Sequence, residues 1–487
     1  SAAGMLPAIS ASASSGGADF GDSVQTALSS APETLQAIID AAPPFAVIEL
    51  ADGVYTGPGN RDLVITGKNI MLVSTSSPDR CILDVEGEGR GMTFGAGVDN
   101  RTLIRGVTIR NAVASDAVGE GGGVRCEGAS PVFESCIIES NRASTGGGGM
   151  ALIDSQAIIR DCLVGGNKAD YNAGGGVLVI GGSPIFERTR IFNNTALKSG
   201  HLGGGGVYAV STEARFVNCM IAANRAERNG GGVNAGPLSF LDLLHCTVVS
   251  NRPDGLYLVG EAVVENCVLW GGDDAVRRGM SGWSRPFLYS IVEDESDAAH
   301  GVRSVPPLLA PETYTLAAGS PCIDAGSDVR ASATDIDHEG RWDHPDVSNG
   351  PGVADIGADE YVDTDHDGLT DREERLYGSN PDLVDTDHDG LSDDAEVRQY
   401  KTNPAAWDTD TDGYPDHDEL ALGMNPVRSR DGRARLEASR RLLAIHWNTL
   451  YGSYPVFHHA SGTREDLEEM DLYLEQLSGA MVRGVGP

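Results

Sequence analysis

Short apolar runs separated by Gly, Asn and Ser fill most of this chain, as in Pro131-Val132-Phe133, Ile137-Ile138, Ile158-Ile159 and Val248-Val249. These runs lack the 3.6-residue spacing of a capped amphipathic helix, so the pattern predicts strands divided by turns. A small residue followed five positions later by Asn recurs six times: Gly106/Asn111, Cys136/Asn141, Cys162/Asn167, Thr189/Asn194, Cys219/Asn224 and Cys246/Asn251. Successive pairs are 30, 26, 27, 30 and 27 residues apart. Every interval holds a glycine run that stops before an apolar residue: Val124, Met150, Val177, Val207 and Val233. Units this short bury no core alone and must stack as a solenoid. A coil of about 26 residues fits three short strands and three turns, and adds about 4.8 Å to the axis.

Stacking places like residues above one another from about Phe45 to Ile291. The asparagines then either form an amide ladder along the axis or serve as residues tolerant of a left-handed turn. Cys136, Cys162, Cys219, Cys246 and Cys267 share one rung position as small buried groups. Rung spacing of about 4.8 Å exceeds the roughly 3.8 Å that a disulfide wants between Cβ atoms, so the expectation is a stack of reduced thiols.

The strands Ser130-Pro-x-Phe and Ser183-Pro-x-Phe, the opening Leu50-Ala-Asp-Gly-Val-Tyr-Thr-Gly57 and the glycine-rich coils resemble bacterial right-handed parallel β-helix proteins of the pectate-lyase-like superfamily. Gly319-Ser-Pro-Cys-Ile-Asp324, Thr334-Asp-Ile-Asp337 and Asp355-Ile-Gly-Ala-Asp-Glu-Tyr361 resemble the segment that ends such domains. The resemblance implies an all-β fold, a right-handed single-stranded parallel β-helix over 45–300 with a closing segment at 301–361. It implies little about activity, because one scaffold hosts many functions.

Solenoid ends expose strand edges and an apolar lumen. Ser30-Ala-Pro-Glu33 reads as a capping box before Leu35, Ile38 and Ile39, predicting a helix that plugs the N-terminal end behind a low-complexity tail within 1–44. The tail's Ala/Ser/Gly composition predicts disorder unless something, such as a neighbouring subunit, holds it. Ser1-Ala-Ala-Gly4 is similar to the mature end left by signal cleavage.

After Tyr361 the composition changes. Three twelve-residue segments, each starting Asp-x-Asp-x-Asp-Gly, run Asp363–Glu374, Asp385–Glu396 and Asp408–Glu419. Their first, third, fifth, seventh, ninth and twelfth positions are the oxygen-ligand positions of a calcium loop, the seventh through its backbone carbonyl. The candidate ligands are Asp363, Asp365, Asp367, Leu369, Asp371 and Glu374; Asp385, Asp387, Asp389, Leu391, Asp393 and Glu396; and Asp408, Asp410, Asp412, Tyr414, Asp416 and Glu419. The expected cofactor is Ca²⁺. Between 363 and 419 there are 19 acidic and 4 basic residues, a net of −15 that repels itself without cations. With Gly378-Ser-Asn-Pro381 and Lys401-Thr-Asn-Pro404 between the loops, residues 362–426 resemble bacterial thrombospondin type 3 repeats. Beyond them, Leu436, Leu443, Trp447 and Leu450, then Leu467, Met470, Leu474, Leu477 and Met481, predict a helical hairpin over 427–487.

The whole chain carries 71 acidic and 36 basic residues, a net of −35, which argues against nucleic acid or an anionic membrane as a partner. No apolar run approaches the roughly 20 residues that span a bilayer. For catalysis, taking the residues after each glycine run as inward makes Arg125, Ala151, Leu178, Tyr208, Asn234 and Tyr257 outward, a stripe without a carboxylate pair. No catalytic residue is assigned. Candidate glycan-binding residues are Arg125, Tyr208 and Tyr257 on that face, and Arg142, Lys168, Arg225 and Arg252 after the Asn turn. The resulting expectation is a secreted or cell-surface bacterial protein with a structural or adhesive role. Expected partners are copies of itself in a fibre or surface layer, other surface proteins, or a polysaccharide. The alternative is a polysaccharide lyase or glycoside hydrolase acting on acidic polysaccharide.

Overall fold

The computed structural model describes residues 9–13, 24–26, 34–171, 173–197, 203–279 and 286–428. Its chain divides into two compact units, Ser1–Tyr361 and Val362–Pro487. The helical hairpin expected over 427–487 lies outside the described residues, apart from Val427 and Arg428.

The first unit is a parallel β-solenoid of about nine coils. Three long sheets run its length, of 11, 10 and 9 strands, here sheets I, II and IV. A fourth, sheet III, was not anticipated. Its five strands have two residues each: Val113–Ala114, Arg142–Ala143, Lys168–Ala169, Thr195–Ala196 and Arg225–Ala226. One residue points out, and the Ala points in, buried in every coil. A coil therefore runs I, II, III, IV, with the glycine run between III and IV.

Alternation along each strand fills the lumen with apolar columns. Val124, Met150, Val177, Val207, Val233 and Leu256 stand in register on sheet IV, all fully buried. On sheet I, Phe186 stacks on Phe216 with centroids 4.7 Å apart.

The Asn column is an amide ladder. Asn141, Asn167, Asn194 and Asn224 each donate through Nδ2 to Oδ1 of the next Asn, at 3.0–3.1 Å, ending at Asn251. The same Oδ1 atoms accept the backbone N–H of the preceding Asn at 2.9 Å. The left-handed residue is the one before: Ser140, Gly166, Asn193, Ala223 and Ser250 have φ of 55–63°. Turn tolerance is thus not what places Asn here. The first pair is one residue out of step. Thr108 pairs with Ile137, so Ala112, whose N–H donates to Asn141 Oδ1 at 2.9 Å, sits in the ladder row, while Asn111 is exposed and bonds Asp84.

All eight cysteines are free and buried. Cys136, Cys219, Cys246 and Cys267 also donate Sγ–H to a carbonyl of the preceding coil at 3.3–3.5 Å, and Thr189 does the same through its hydroxyl at 3.0 Å. A hydroxyl can take the thiol's place, as Thr189 and Ser290 do in the same column.

At the N-terminal end, the helix Leu35–Ala41 buries Leu35, Ile38 and Ile39 in the main core. Its cap is Thr34, which accepts from the Ala37 N–H; the expected Ser30 and Glu33 lie outside the described residues. Lys68 Nζ donates to the carbonyls of Ile39, Asp40 and Ala42, closing the other end of the helix. The first coil's edge is covered by the tail itself. Ile9–Ala13 pairs antiparallel with Val47–Leu50, and Val24–Thr26 pairs with Ile9–Ala13.

Val302 joins the main core and Arg303 bridges to Ile291, but most of residues 301–361 do not plug the C-terminal end. They lie along the outer face of sheet II, where Ile323, Ile356, Cys322 and Tyr361 cover Ala222, Val249, Val268 and Ile291. Three left-handed corner residues hold this cover: Asn218 donates to Ser332 and Thr334, Asn266 to Ser327, and His245 Nδ1 meets the Asp355 carbonyl at 3.2 Å. His245 Nε2 lies 2.8 Å from the Asn266 amide nitrogen, which donates to it, so the ring is neutral with its proton on Nδ1.

Asn167→Ala removes two donors and an acceptor from a buried ladder. It should lower stability by roughly 1–3 kcal/mol for each group left unpaired, read by chemical denaturation. Burial pushes His245 down to about 3. Below about pH 6.5 the unfolded chain takes up a proton that the folded one refuses, so stability should fall as pH drops from about 6.5 towards 3. His245→Gln should flatten that part of a melting-temperature profile.

Candidate functional site

In the second unit each acidic loop ends in a short helix: Asp371–Tyr377, a π-helical turn at Ala395–Tyr400, and Asp416–Leu422. Helices this short leave no EF-hand pair, as the 22- and 23-residue spacing of the loops anticipates. The loops share one backbone path, with left-handed φ at His366, His388 and Thr411 (61–64°) and φ of 99–109° at Gly368, Gly390 and Gly413. This path gathers the first three carboxylates of each loop. Oxygens of Asp363, Asp365 and Asp367 lie within 4.8 Å of one another, and so do those of Asp385, Asp387 and Asp389, and of Asp408, Asp410 and Asp412.

The twelfth-position Glu374, Glu396 and Glu419 are buried, and one oxygen of each has no hydrogen-bond donor; the same holds for Oδ2 of Asp365 and Asp387. Burial first, and the neighbouring Asp residues second, push the three Glu carboxyls up to about 8, and Asp387 to about 6. A buried carboxylate without donors is costly unless a cation meets it. The donor set, all hard oxygen with a carbonyl at Leu369, Leu391 and Tyr414, fits Ca²⁺.

The ninth position has a second role. Both oxygens of Asp371, Asp393 and Asp416 accept from the N–H and hydroxyl of Thr364, Thr386 and Thr409, at 2.6–2.9 Å. Through these bonds the ninth-position residues staple the loop closed. Successive repeats also interlock: Asp367 Oδ2 accepts from Asp394 N–H at 2.8 Å, and Asp389 Oδ2 from His417 N–H at 3.0 Å. The spacing of the motif contains no signal for that contact.

On the β-helix, the outer face of sheet IV is largely covered. Ala151, Leu178 and Tyr208 form an apolar cluster with Ala173, and Tyr208 is 6% exposed, so it offers no ring to a ligand. Tyr257 is half-buried with the Arg277 guanidinium 5.9 Å from its centroid. Arg125 is held at 2.6 Å by Glu127 and at 3.8 Å by Glu120. The expectation that this face has no carboxylate pair is therefore corrected. Glu120 arrives from the turn before the glycine run, and Glu127 lies two residues beyond the stripe residue Arg125. Burial raises the Glu120 carboxyl, while its hydrogen bond to Arg125 lowers that of Glu127.

The basic row lies not in turns but in sheet III, where Arg142, Lys168, Thr195 and Arg225 pair in register and Arg225 bridges to Arg252. Arg142 contacts Asp170 at 2.8 Å.

Residues 94–269 match the right handed beta helix region family, and residues 363–381, 385–405 and 408–429 match the bacterial TSP3 repeat. No curated protein matches the chain. A solved structure, that of pectate lyase Pel9A, is similar at 14% identity with a TM-score of 0.39, covering 67% of this chain and 90% of that one. No described helix is long and apolar enough to cross a membrane.

Proposed function

The chain being a right-handed β-helix followed by bacterial TSP3 repeats, we propose that it is an extracellular or cell-surface calcium-binding protein with a structural or adhesive role. One observation supports this most: buried carboxylate oxygens without donors recur at equivalent positions of the acidic loops, at Asp365 and Asp387 and at Glu374, Glu396 and Glu419. Loops of this charge are held compact by a cation that neutralises them, so calcium turns 363–426 into an ordered spacer. A millimolar-calcium environment outside the cell suits such modules. The β-helix supplies a stiff body whose long faces are suited to a fibre or surface layer of copies of this chain.

A second reading, as a polysaccharide lyase or glycoside hydrolase, gains support from Glu120 and Glu127 on either side of Arg125. Two carboxyls with opposite shifts are what acid–base cleavage of a glycosidic bond uses.

Calorimetric titration of the full chain should give three calcium ions per molecule, and Glu396→Gln should remove one. Chelation should expose 363–426 to protease; no heat of binding and an unchanged digest would refute the calcium reading. Assays of polyuronates for unsaturated products and reducing ends should stay at background. Activity that disappears in Glu120→Gln or Glu127→Gln would instead establish the enzymatic reading.

A further inference from the structure

The outer columns of the β-helix balance their charges. On sheet I, Arg105, Glu134, Arg160 and Glu187 follow one another in register, and both arginines reach Glu134. Sheet III departs from this. After Val113 its outward line reads Arg142, Lys168, Thr195, Arg225 and Arg252. Neighbours in such a line stand about 4.8 Å apart, so it extends roughly 19 Å along the axis. Arg142 has Asp170, but among the described residues no carboxylate is paired with Lys168, Arg225 or Arg252, and both arginines are exposed. Adjacent, uncompensated like charges are unfavourable, and a chain of net charge −35 has no shortage of carboxylates to balance them.

The surroundings leave the line accessible. The adjoining corner column, Ser140, Gly166, Asn193, Ala223 and Ser250, is uncharged and mostly small, so the cationic groups stand over a shallow strip. Glu227 and Arg228 follow Arg225 and are both exposed; Asp254 is buried and accepts from the Gly230 N–H; the exposed Asp273 and Asp274 mark the end of the line.

We propose that this line binds a linear polyanion, an acidic polysaccharide whose carboxylate or sulfate groups follow in single file along the β-helix axis. Charge complementarity one side chain wide suits an extended polymer. An anionic bilayer presents its field over an area, and the net charge of the chain opposes it. Single-stranded nucleic acid is held by aromatic platforms under its bases, and neither the line nor its strip contains an aromatic residue. The line shares no residue with the acidic loops, so its failure would leave the calcium reading untouched.

The full chain should be tested on immobilised polygalacturonate, dextran sulfate, neutral dextran and single-stranded DNA, with chelator and with calcium. Retention on polygalacturonate or dextran sulfate is expected with chelator present, declining as salt rises, with none on dextran. The comparison of the two acidic glycans separates carboxylate from sulfate recognition. The triple variant Lys168→Glu, Arg225→Glu and Arg252→Glu should weaken binding by about tenfold or more, at an unchanged circular-dichroism melting temperature. If the triple variant melts early, Arg225→Gln alone decides, with a smaller loss expected. The proposal is overturned by no retention on either acidic glycan, by tighter retention on DNA, or by binding that the substitutions leave intact. Retention that needs calcium and ignores the substitutions would assign binding to the acidic loops, and also overturns it.

Discussion

The amide ladder and the glycine column beside it set the geometry on which the first unit depends. Each ladder Asn needs its neighbour one strand spacing away, because Nδ2, Oδ1 and the backbone N–H are all satisfied only at that rise. The glycines press against it from the other side of the coil. A Cβ on Gly149 would meet Asn167 Nδ2 at 2.9 Å, and one on Gly148 would meet the Gly175 carbonyl at 2.4 Å. Ladder and glycines thus specify one another: the amide occupies the space that a side chain would fill. Coils differ in length mainly where this pair permits it, between the Asn and the residue after the glycine run. From Asn141 to Met150 the chain advances 9 residues, and from Asn194 to Val207 it advances 13. From each small residue to its Asn the advance is always 5.

The two units handle excess negative charge differently. On the β-helix, carboxylates meet arginines across one rung, as in Glu134 with Arg160, Asp161 with Arg188, and Asp242 with Arg215. Such pairs contribute modestly to stability but fix which charges face solvent alone. The acidic loops carry too few bases for that solution, and their buried Glu residues turn the deficit into a demand for a cation. The basic line on sheet III is the reverse case, positive charge left unbalanced on a strongly negative chain.

The cover over sheet II shows how a flank becomes part of a core. Its outward residues Met220, Ala222, Val249 and Val268 are as apolar as an inward row, and 301–361 buries them. The corner residues Asn218, His245 and Asn266 occupy left-handed turns, where their side chains project beyond the coil and meet the cover. Binding there satisfies polar backbone that would otherwise lie buried without partners.

Residue order alone was enough for most of what repeats, the two-residue strands of sheet III and the contacts between successive acidic loops excepted. The period of the coils, the inward rows, the thiol column and the oxygen-rich loops each depend on spacing within about 30 residues, which successive copies display again and again. Beyond those, what the sequence could not decide were the contacts that occur once. Val107 and Ala112, not Gly106 and Asn111, occupy the rows at the first of the six pairs because strand pairing, not residue type, determines register. Glu120 reaches Arg125 because a turn folds back over sheet IV, Tyr208 disappears beneath the same face, and most of 301–361 runs along a side. Such contacts depend on where loops and tails come to rest in three dimensions, and that is governed by packing free energy over the whole fold rather than by any local periodicity.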